Sequence, residues 1–352
     1  MKILIFGAGV LGSVYAAMLH KAGNEVSLLA RGKRFADLCQ YGIVLEDVSS
    51  GETYTSQVNV VEKLSSEDIY DLAIIIVRKN QLASVLPSLS ANRNIPNILF
   101  LLNNAAGYQE MVKAVGYERV LLGFPGGGGE RVGHIIRYRL ASARTQPTTI
   151  GEIDGYPSVR IKTIALTFEQ AGLPVHICNN MDAWLKTHVA LVSPIANAIY
   201  LAGGDVYRLA RTRDALILMV RAIREGLQVL DELKIPITPA RYRLLKWIPE
   251  PLLITILQKR LPSPNAELVL QRHANAARDE MLMLSNEFQS LAHATFLPTP
   301  ALDHLYQAVD PDFPAMPDGQ KLLGMNWRSV WAGIGLALAG LIFLSWIIRR
   351  KK

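Results

Sequence analysis

Short runs of consecutive apolar residues alternate with helical segments over the first half of the chain. Residues 71–77 and 97–103 are continuous apolar runs, as parallel strands covered on both faces require, and strands are also predicted at the N-terminus and at residues 25–30 and 120–124. Further strands are predicted at 137–141, 148–153 and 174–178, with helices at 14–22 and 159–171. This alternation predicts an α/β fold built on a parallel sheet.

The second half of the chain follows a different pattern. From Met181 onward the apolar residues keep helical spacing, over residues 182–200, 205–233 and 265–294. We therefore predict a Rossmann-type domain at residues 1–180 followed by an all-α domain at residues 181–309. The apolar segment 244–257 lies between basic flanks; it is interpreted as core packing, a lid over the cleft or an interfacial patch.

The C-terminal segment has the pattern of a membrane anchor. Residues 329–348 contain no charge, and about 20 such residues suffice for a helix to cross a bilayer. Trp327, Trp331 and Trp346 lie near the ends of this run, as interfacial aromatic residues do. Residues 310–328, rich in Pro and Asp, are predicted to be a linker, and residues 349–352 form a basic tail.

Charge and cysteine content narrow the classes of partner and compartment. The net charge is +7, and residues 206–260 carry eleven Lys or Arg against five Asp or Glu. A surplus confined to this segment and the tail favours anionic lipid or a solvated helix face, and no nucleic acid is predicted as a partner. Two cysteines and no recognisable secretory signal favour a reducing compartment, and the scattered histidines predict no metal site. The sequence leaves a homodimer open.

The first predicted strand runs directly into Gly7-x-Gly9-x-x-Gly12. In this motif Gly7 permits a tight turn, Gly9 lets the backbone approach a pyrophosphate, and Gly12 lets the next helix pack on the strand. The N–H groups of Val10, Leu11 and Gly12 begin that helix and would face the phosphates. A dinucleotide site is therefore predicted.

The residues after the second strand indicate which dinucleotide binds. NAD sites carry an acidic residue there for the ribose hydroxyls, whereas this chain has Arg31, Lys33 and Arg34. Arginine binds a ribose 2′-phosphate in a bidentate manner, so NADP is the predicted cofactor, with Arg31 and Arg34 as its ligands. The alternative is a solvated helix start.

The predicted orientation in the membrane involves a conflict. Four cations follow the apolar run, which favours a cytoplasmic C-terminus, but a nicotinamide enzyme needs its domain where the cofactor is. We expect a cytoplasmic catalytic domain with a single-pass C-terminal anchor, because large folded domains can dominate over flanking charges. The alternative is a helix that enters the membrane without crossing it.

Four motifs, in their order and spacing, resemble the ketopantoate reductase family over about residues 1–309. They are the glycine motif, Leu102-Asn103-Asn104 with Gly107, Trp184-Leu-Lys186, and Asp279-Glu280 followed by Pro298-Thr-Pro300. The resemblance implies that Lys186 is the general acid, that Glu280 holds a substrate hydroxyl, and that Asn104 lies near nicotinamide and substrate. An ammonium group suits the first role because hydride addition to a carbonyl leaves an alkoxide. Asn103 is a contender for the role of Asn104, Lys186 could instead be a surface lysine, and Glu280 could lie on a wet helix face.

The chain departs from the family at two substrate positions. Ala190 stands where the family has an asparagine, and Leu268 stands where it has a serine that grips the substrate carboxylate. Where the family has a lysine after the fourth strand, this chain has Arg78-Lys79. His188, Ser193 and Asn197 are candidates to replace the lost contacts.

Three functions follow from these residues. The first is a membrane-tethered, NADPH-dependent reductase of the ketopantoate reductase type, whose small-molecule carbonyl substrate is more apolar than ketopantoate. The second is authentic 2-dehydropantoate 2-reductase in pantothenate synthesis. The third is a non-catalytic, membrane-tethered nucleotide-binding module.

Overall fold

The protein is described by a computed structural model that covers residues 1–327. The N-terminal domain consists of β1 (Lys2–Phe6), α1 (Val10–Lys21), β2 (Glu25–Leu29), α2 (Gly32–Tyr41), β3 (Ile43–Asp47), β4 (Thr53–Ser56), β5 (Asn59–Val61), β6 (Leu72–Ile75), α3 (Leu82–Ala91), β7 (Ile98–Leu101), α4 (Gln109–Val115), β8 (Val120–Phe124), β9 (Gly127–Val132), β10 (Ile135–Leu140), β11 (Thr148–Gly151), α5 (Val159–Gln170) and β12 (Val175–Ile177). Single 3₁₀ turns lie at Lys79–Gln81 and Tyr117–Arg119.

Eight strands form the main sheet in the order β12-β11-β8-β7-β6-β1-β2-β5. The six neighbouring strands β5, β2, β1, β6, β7 and β8 are parallel to one another. Strand β11 is antiparallel to β8, and β12 is parallel to β11. The strand order reverses between β1 and β6, and in open α/β sheets ligands bind outside the carboxyl ends of the strands at such a point. The predicted Rossmann-type domain is confirmed.

A second sheet, in the order β4-β3-β10-β9, lies beside α1 and was only partly predicted. Glycines 126–129 look like a flexible turn in the sequence, but Gly127–Val132 pair with β10 as a strand. Neighbouring segments of the protein lie close to this strand. A Cβ on Gly129 would lie 2.3 Å from the carbonyl oxygen of Arg137 and 3.1 Å from the Val10 side chain, so this position requires glycine.

The helical domain consists of α6 (Met181–Leu201), α7 (Val206–Arg211), α8 (Arg213–Glu232), α9 (Glu250–Arg260), α10 (Pro264–Ala266), α11 (Arg272–Ala276), α12 (Arg278–His293) and α13 (Pro300–Gln307). A 3₁₀ segment lies at Ala240–Lys246 and a π-helical turn at Glu267–Gln271. The side chain of Asn180 accepts a hydrogen bond from the Ala183 amide (3.0 Å) and so caps α6 where the sheet domain ends. Because the described residues from Met181 onward contain helices and no strand, the predicted all-α character of the second domain is confirmed. The predicted helix over 265–294 is interrupted at Ala277.

Residues 310–327, within the predicted linker, contain no helix or strand and lie along the helical domain. We call them the C-terminal strap. Four arginines of α7 and α8 hold it: Arg208 donates to the Met316 carbonyl (2.6 Å), Arg211 pairs with Asp318 (2.7 Å), Arg213 donates to the Lys321 carbonyl (2.6 Å) and Arg221 to the Gly324 carbonyl (2.7 Å). Much of the basic surplus of residues 206–260 therefore binds the chain's own C-terminal segment.

Within residues 1–327, no helix combines the length and the apolar character that crossing a membrane requires. The predicted span at 329–348 and the basic tail at 349–352 lie outside the described residues.

Candidate active site at the domain interface

Close backbone contacts leave no room for a side chain at two of the three glycines in the turn after β1. Gly7 has φ +119°, and a Cβ on it would lie 2.2 Å from the carbonyl oxygen of Ile76. A Cβ on Gly12 would lie 1.8 Å from the carbonyl oxygen of Gly7. A Cβ on Gly9 would meet nothing within 4 Å. The fold therefore requires Gly7 and Gly12, while the space beside Gly9 is left for another molecule.

The N-terminus of α1 suits an anion. Gly9 precedes the helix with an extended backbone and provides no side-chain cap, and no acidic residue lies in the first turn. The opening N–H groups of a helix, here those of Val10 and Leu11, have no partner within it. They can therefore donate to a phosphate, which the helix dipole also favours.

Arg34 lies against the glycine turn and is only partly satisfied. Its Nε donates to the Ala8 carbonyl (3.2 Å) and one terminal nitrogen donates to the Ser13 hydroxyl (3.0 Å). The other terminal nitrogen is buried without a partner among the described residues. Burial, followed by the positive charge of Arg131, holds the pKa of Arg34 below its usual range. A bound anion would supply the missing acceptor.

Arg31 precedes α2 and is exposed, with its guanidinium carbon 6.0 Å from the centre of the Phe6 ring. Lys33 is also exposed. The open space at Gly9, the uncapped helix and the unsatisfied Arg34 together fit a dinucleotide phosphate.

Lys186 lies on α6, the first helix of the second domain. Its ammonium group pairs with the carboxylate of Asp182, one turn earlier on α6, and its side chain is 14% exposed. The other oxygen of Asp182 lies 3.6 Å from the place a Cβ would take on Gly107, where φ is +90°. Lys186 is therefore close to the loop that follows β7.

The same loop fixes the two predicted asparagines. Asn104 donates to the Gly107 carbonyl (2.6 Å), and Asn103 donates to Glu280 Oε1 (3.2 Å). Both side chains are buried, and the Oδ1 atom of each has no partner among residues 1–327. Each amide thus keeps an acceptor for a further donor.

Glu280 is 3% exposed and points to the sheet domain from the first turn of α12. Its Oε1 also accepts a hydrogen bond from the backbone N–H of Lys79 (3.1 Å). The neighbouring Asp279 is the residue on the wet face, where it pairs with Arg78 (3.1 Å). The structure thus brings Lys186, Asn104 and Glu280 to one edge of the sheet, and their catalytic roles stay predictions.

One group of charged residues at this interface was not assigned a role from the sequence. The buried Lys79 ammonium group pairs with Glu110 and lies 3.4 Å from Glu287. Glu287 also accepts hydrogen bonds from the backbone N–H groups of Ala105 (2.8 Å) and Ala106 (3.1 Å). This carboxylate joins α12 to the asparagine loop. Its spacing of seven residues from Glu280 places both on one helix face and was the available signal.

The structure shows how the two residues that depart from the family pattern, Ala190 and Leu268, are packed. Ala190 is fully buried, and a Cβ on Gly226 of α8 would lie 3.3 Å from the Ala190 side chain. Leu268 is half-buried on the π-helical turn. At the position where the family has an asparagine, α6 and α8 therefore pack closely against each other.

The three candidates for replacing the lost contacts lie in two places. The His188 ring stacks on Trp184 and lies 4.2 Å from the Phe124 ring centre. Desolvation, with a further contribution from His273, lowers the pKa of His188 to about 3. Ser193 lies 2.8 Å from the Ser285 hydroxyl, and Asn197 donates to the same oxygen (3.2 Å), all three being buried. Desolvation also lowers the pKa of His273, on α11, and the charge of Glu280 opposes that shift.

Comparison with known proteins agrees with this geometry. Residues 3–155 match the sequence profile of the family described as Ketopantoate reductase PanE/ApbA. A 2-dehydropantoate 2-reductase of Pyrococcus horikoshii is 24% identical over 251 residues, which cover 68% of this chain and 77% of that relative. A 2-dehydropantoate 2-reductase of Aquifex aeolicus is 27% identical over 246 residues, which cover 67% of this chain and 74% of that relative. The chain is therefore similar to ketopantoate reductases in sequence, most of all over its sheet domain.

Ketopantoate reductases are oxidoreductases that act on CH–OH groups with a nicotinamide cofactor. A solved structure of D-mandelate dehydrogenase with NADH and anilino(oxo)acetate shares the fold, with a TM-score of 0.72 and 19% identity, covering 88% of this chain and 97% of that one. The fold therefore extends over both domains, whereas the family profile matches the sheet domain.

Proposed function

We propose that this chain belongs to the ketopantoate reductase family and is an NADPH-dependent reductase that converts a 2-keto acid or a related carbonyl to the alcohol. The observation that supports this most is the position of Lys186. Its ammonium group comes from the helical domain, yet through Asp182 it lies beside the Asn104 loop at the carboxyl edge of the parallel sheet. That is the edge where the glycine turn leaves room for a dinucleotide.

Each side chain in the cleft has a role in this proposal. The coenzyme, when bound, supplies the hydride. Lys186 donates a proton to the carbonyl oxygen that becomes an alkoxide, and Asp182 holds the ammonium group in place. Glu280 accepts a hydrogen bond from a substrate hydroxyl through its carboxylate, which the backbone N–H of Lys79 holds at Oε1, while Asn104 orients the ligand through its unpaired Oδ1.

The preference for NADPH is part of the proposal. Ala30 follows β2 where an NAD site carries an acidic residue, and Arg31, Lys33 and Arg34 come next. Gly7, Gly9 and Gly12, with the N–H groups of the α1 turn, would hold the pyrophosphate. The D-mandelate dehydrogenase structure contains NADH, so the fold itself does not decide between the two coenzymes.

We further propose a substrate more apolar than ketopantoate. Ala190 and Leu268 replace two polar side chains of the family, and a site built on hydrogen bonds loses discrimination when such partners are removed. D-mandelate dehydrogenase has the same fold and, by its name, acts on a substrate other than ketopantoate.

Authentic 2-dehydropantoate 2-reductase activity is the second candidate, because both curated relatives carry that name. The two candidates differ in growth. An authentic enzyme restores growth of a pantothenate auxotroph, whereas an enzyme with shifted specificity does not.

The proposed tether is the uncharged segment at residues 329–348. It predicts that the full chain stays with membranes after washing at high pH and high salt, and that detergent releases it. Release by either wash alone would contradict the tether and leave the proposed reaction untouched.

The enzymatic proposal is tested with the purified full chain, NADPH and a panel of 2-keto acids and ketones. Lys186→Ala should lower kcat by about 10²–10⁴-fold with little change in NADPH affinity. Lys162→Ala, at an exposed lysine of α5, is the matched control. Activity of Lys186→Ala within a few-fold of the wild type would refute the assigned role. NADPH binding without oxidation across the panel would instead favour a non-catalytic nucleotide-binding module.

A further inference from the structure

The helical domain carries an exposed apolar surface. It is formed by Leu244, Trp247, Leu252 and Ile256, which are 61%, 77%, 51% and 42% exposed. We call these four residues the apolar face. Contiguous exposed apolar patches of this kind usually mark contact with another molecule or with a membrane.

The apolar face reverses the usual amphipathic pattern of α9. Ile254 is buried, and Leu253 and Leu257 pack against the helical core, so one side of the helix is used as expected. The outward side of a surface helix is normally polar. Here Leu252 and Ile256 lie on it, one turn apart.

Cations surround the apolar face, and carboxylates are scarce. Arg243, Lys259 and Arg260 are exposed and have no acidic partner among the described residues. Arg241 donates to the carbonyl groups of Arg144 and Thr145, and among the described residues it pairs with no carboxylate. The single carboxylate of segment 240–260, Glu250, is buried and paired with Arg221 (3.0 Å). The surface thus combines an apolar centre with a positive rim.

The C-terminal strap ends beside this surface. The backbone N–H of Asn326 donates to Glu250, in the first turn of α9 (2.8 Å), and Trp327 is 47% exposed. Residues 328–352 follow, and they include the uncharged run 329–348. The chain therefore leaves the described structure at the N-terminal end of α9, next to the apolar face.

We propose that the apolar face docks on the surface of an anionic lipid bilayer. This proposal rests on the membrane tether of the proposed function and adds the orientation in which the enzyme meets the lipid. Trp247 is suited to the headgroup region, and Leu252 and Ile256 can enter the boundary of the acyl chains. Each Lys or Arg near an anionic surface adds to the attraction.

The test uses the full chain reconstituted into vesicles of phosphatidylcholine with about one third phosphatidylglycerol. Cys39→Ser removes the exposed thiol and leaves only the buried Cys178. A fluorophore is then attached at Leu252→Cys, or, as the matched control, at Ile69→Cys in the sheet domain, where the native side chain is 65% exposed. Lipids that carry a quencher at the headgroup boundary report contact with the bilayer.

We expect quenching to be several-fold stronger at position 252 than at position 69. The double variant Arg243→Glu, Lys259→Glu should reduce the quenching on anionic vesicles and change it little on purely zwitterionic ones. Equal quenching at the two positions would overturn the proposal. A label at 252 that is shielded from aqueous quenchers but untouched by lipid quenchers would also overturn it, because a second copy or residues 329–348 would then cover the face.

The possible failures can be told apart. Flotation of the vesicles reports the tether, and NADPH oxidation by the same sample reports the proposed reaction. A protein that floats and reacts but shows no preferential quenching at 252 refutes the docking alone. A protein that reacts but does not float refutes the tether and the docking together.

Discussion

The two walls of the cleft are built in different ways. On the sheet side, Gly7 and Gly12 are required by backbone contacts within the first strand–helix unit and with the strand beside it. On the helical side, Lys186 and Glu280 reach the Asn104 loop from helices far along the chain. The first wall depends on backbone shape and the second on individual side chains. A sequence can therefore change the chemistry of the second wall while the first stays intact.

The largest expected effect tests the backbone wall. Gly12→Ala would place a Cβ 1.8 Å from a carbonyl oxygen, so we expect loss of the folded domain, by several kcal/mol. Gly9→Ala meets no protein atom within 4 Å and should fold normally while binding NADPH more weakly. Thermal unfolding and NADPH fluorescence titration measure the two effects. Equal Tm values for both variants would contradict the distinction.

The next effect tests the side-chain wall. Glu280→Gln keeps the shape but weakens a charged hydrogen bond, so kcat/KM should fall by about 1.5–3 kcal/mol, or roughly 10- to 150-fold. Asp279→Asn is the control, because its exposed ion pair with Arg78 contributes at most about 1 kcal/mol. Steady-state kinetics with the best substrate of the panel decides. Similar losses of kcat/KM in both variants would contradict a role of Glu280 in binding the substrate.

A third prediction addresses the altered substrate position. Ala190→Asn restores the family's residue, but the side chain would press on α8 near Gly226. Overpacking of this kind costs about 1–3 kcal/mol, so Tm should fall without a gain in activity on ketopantoate. Leu268→Ser, on the half-buried π-helical turn, should instead raise relative activity on ketopantoate. A stable and more active Ala190→Asn would show that side chain reaching the substrate.

The smallest effect concerns pH. Desolvation lowers the pKa of His188 from 6.5 to about 3. Between these two pH values the unfolded chain binds a proton at this residue and the folded chain does not. The stability contribution is present above pH 6.5 and is lost as pH falls toward 3, by at most about 1.4 kcal/mol per pH unit. His188→Gln should flatten the decline of unfolding free energy between pH 7 and 5, while His176→Gln, at an exposed site, should leave it unchanged. An unchanged slope in His188→Gln would contradict the shift.

The success of the sequence analysis follows the same division. The glycine turn, the sheet strands and the start of α6 at the Asn180 cap were predictable, because each depends on residues adjacent in the chain. The second sheet was largely missed: β9 is rich in glycine because Val10 and β10 approach its backbone, and that contact is invisible in the sequence. Lys186 and Glu280 could be proposed only from resemblance to a family. The bonds of Glu287 to Lys79 and to the asparagine loop join residues about 180 or more positions apart, so no local pattern predicts them.

The central claim is that the Lys186 ammonium group and the coenzyme meet in one cleft. The most direct measurement is a crystal structure of the full chain with NADP⁺ and a substrate analogue. The proposal predicts that Nζ of Lys186 lies about 3 Å from the analogue's carbonyl oxygen while the carbonyl carbon lies about 3–3.5 Å from C4 of the nicotinamide. A complex in which Nζ turns to bulk solvent, away from both ligands, would contradict it.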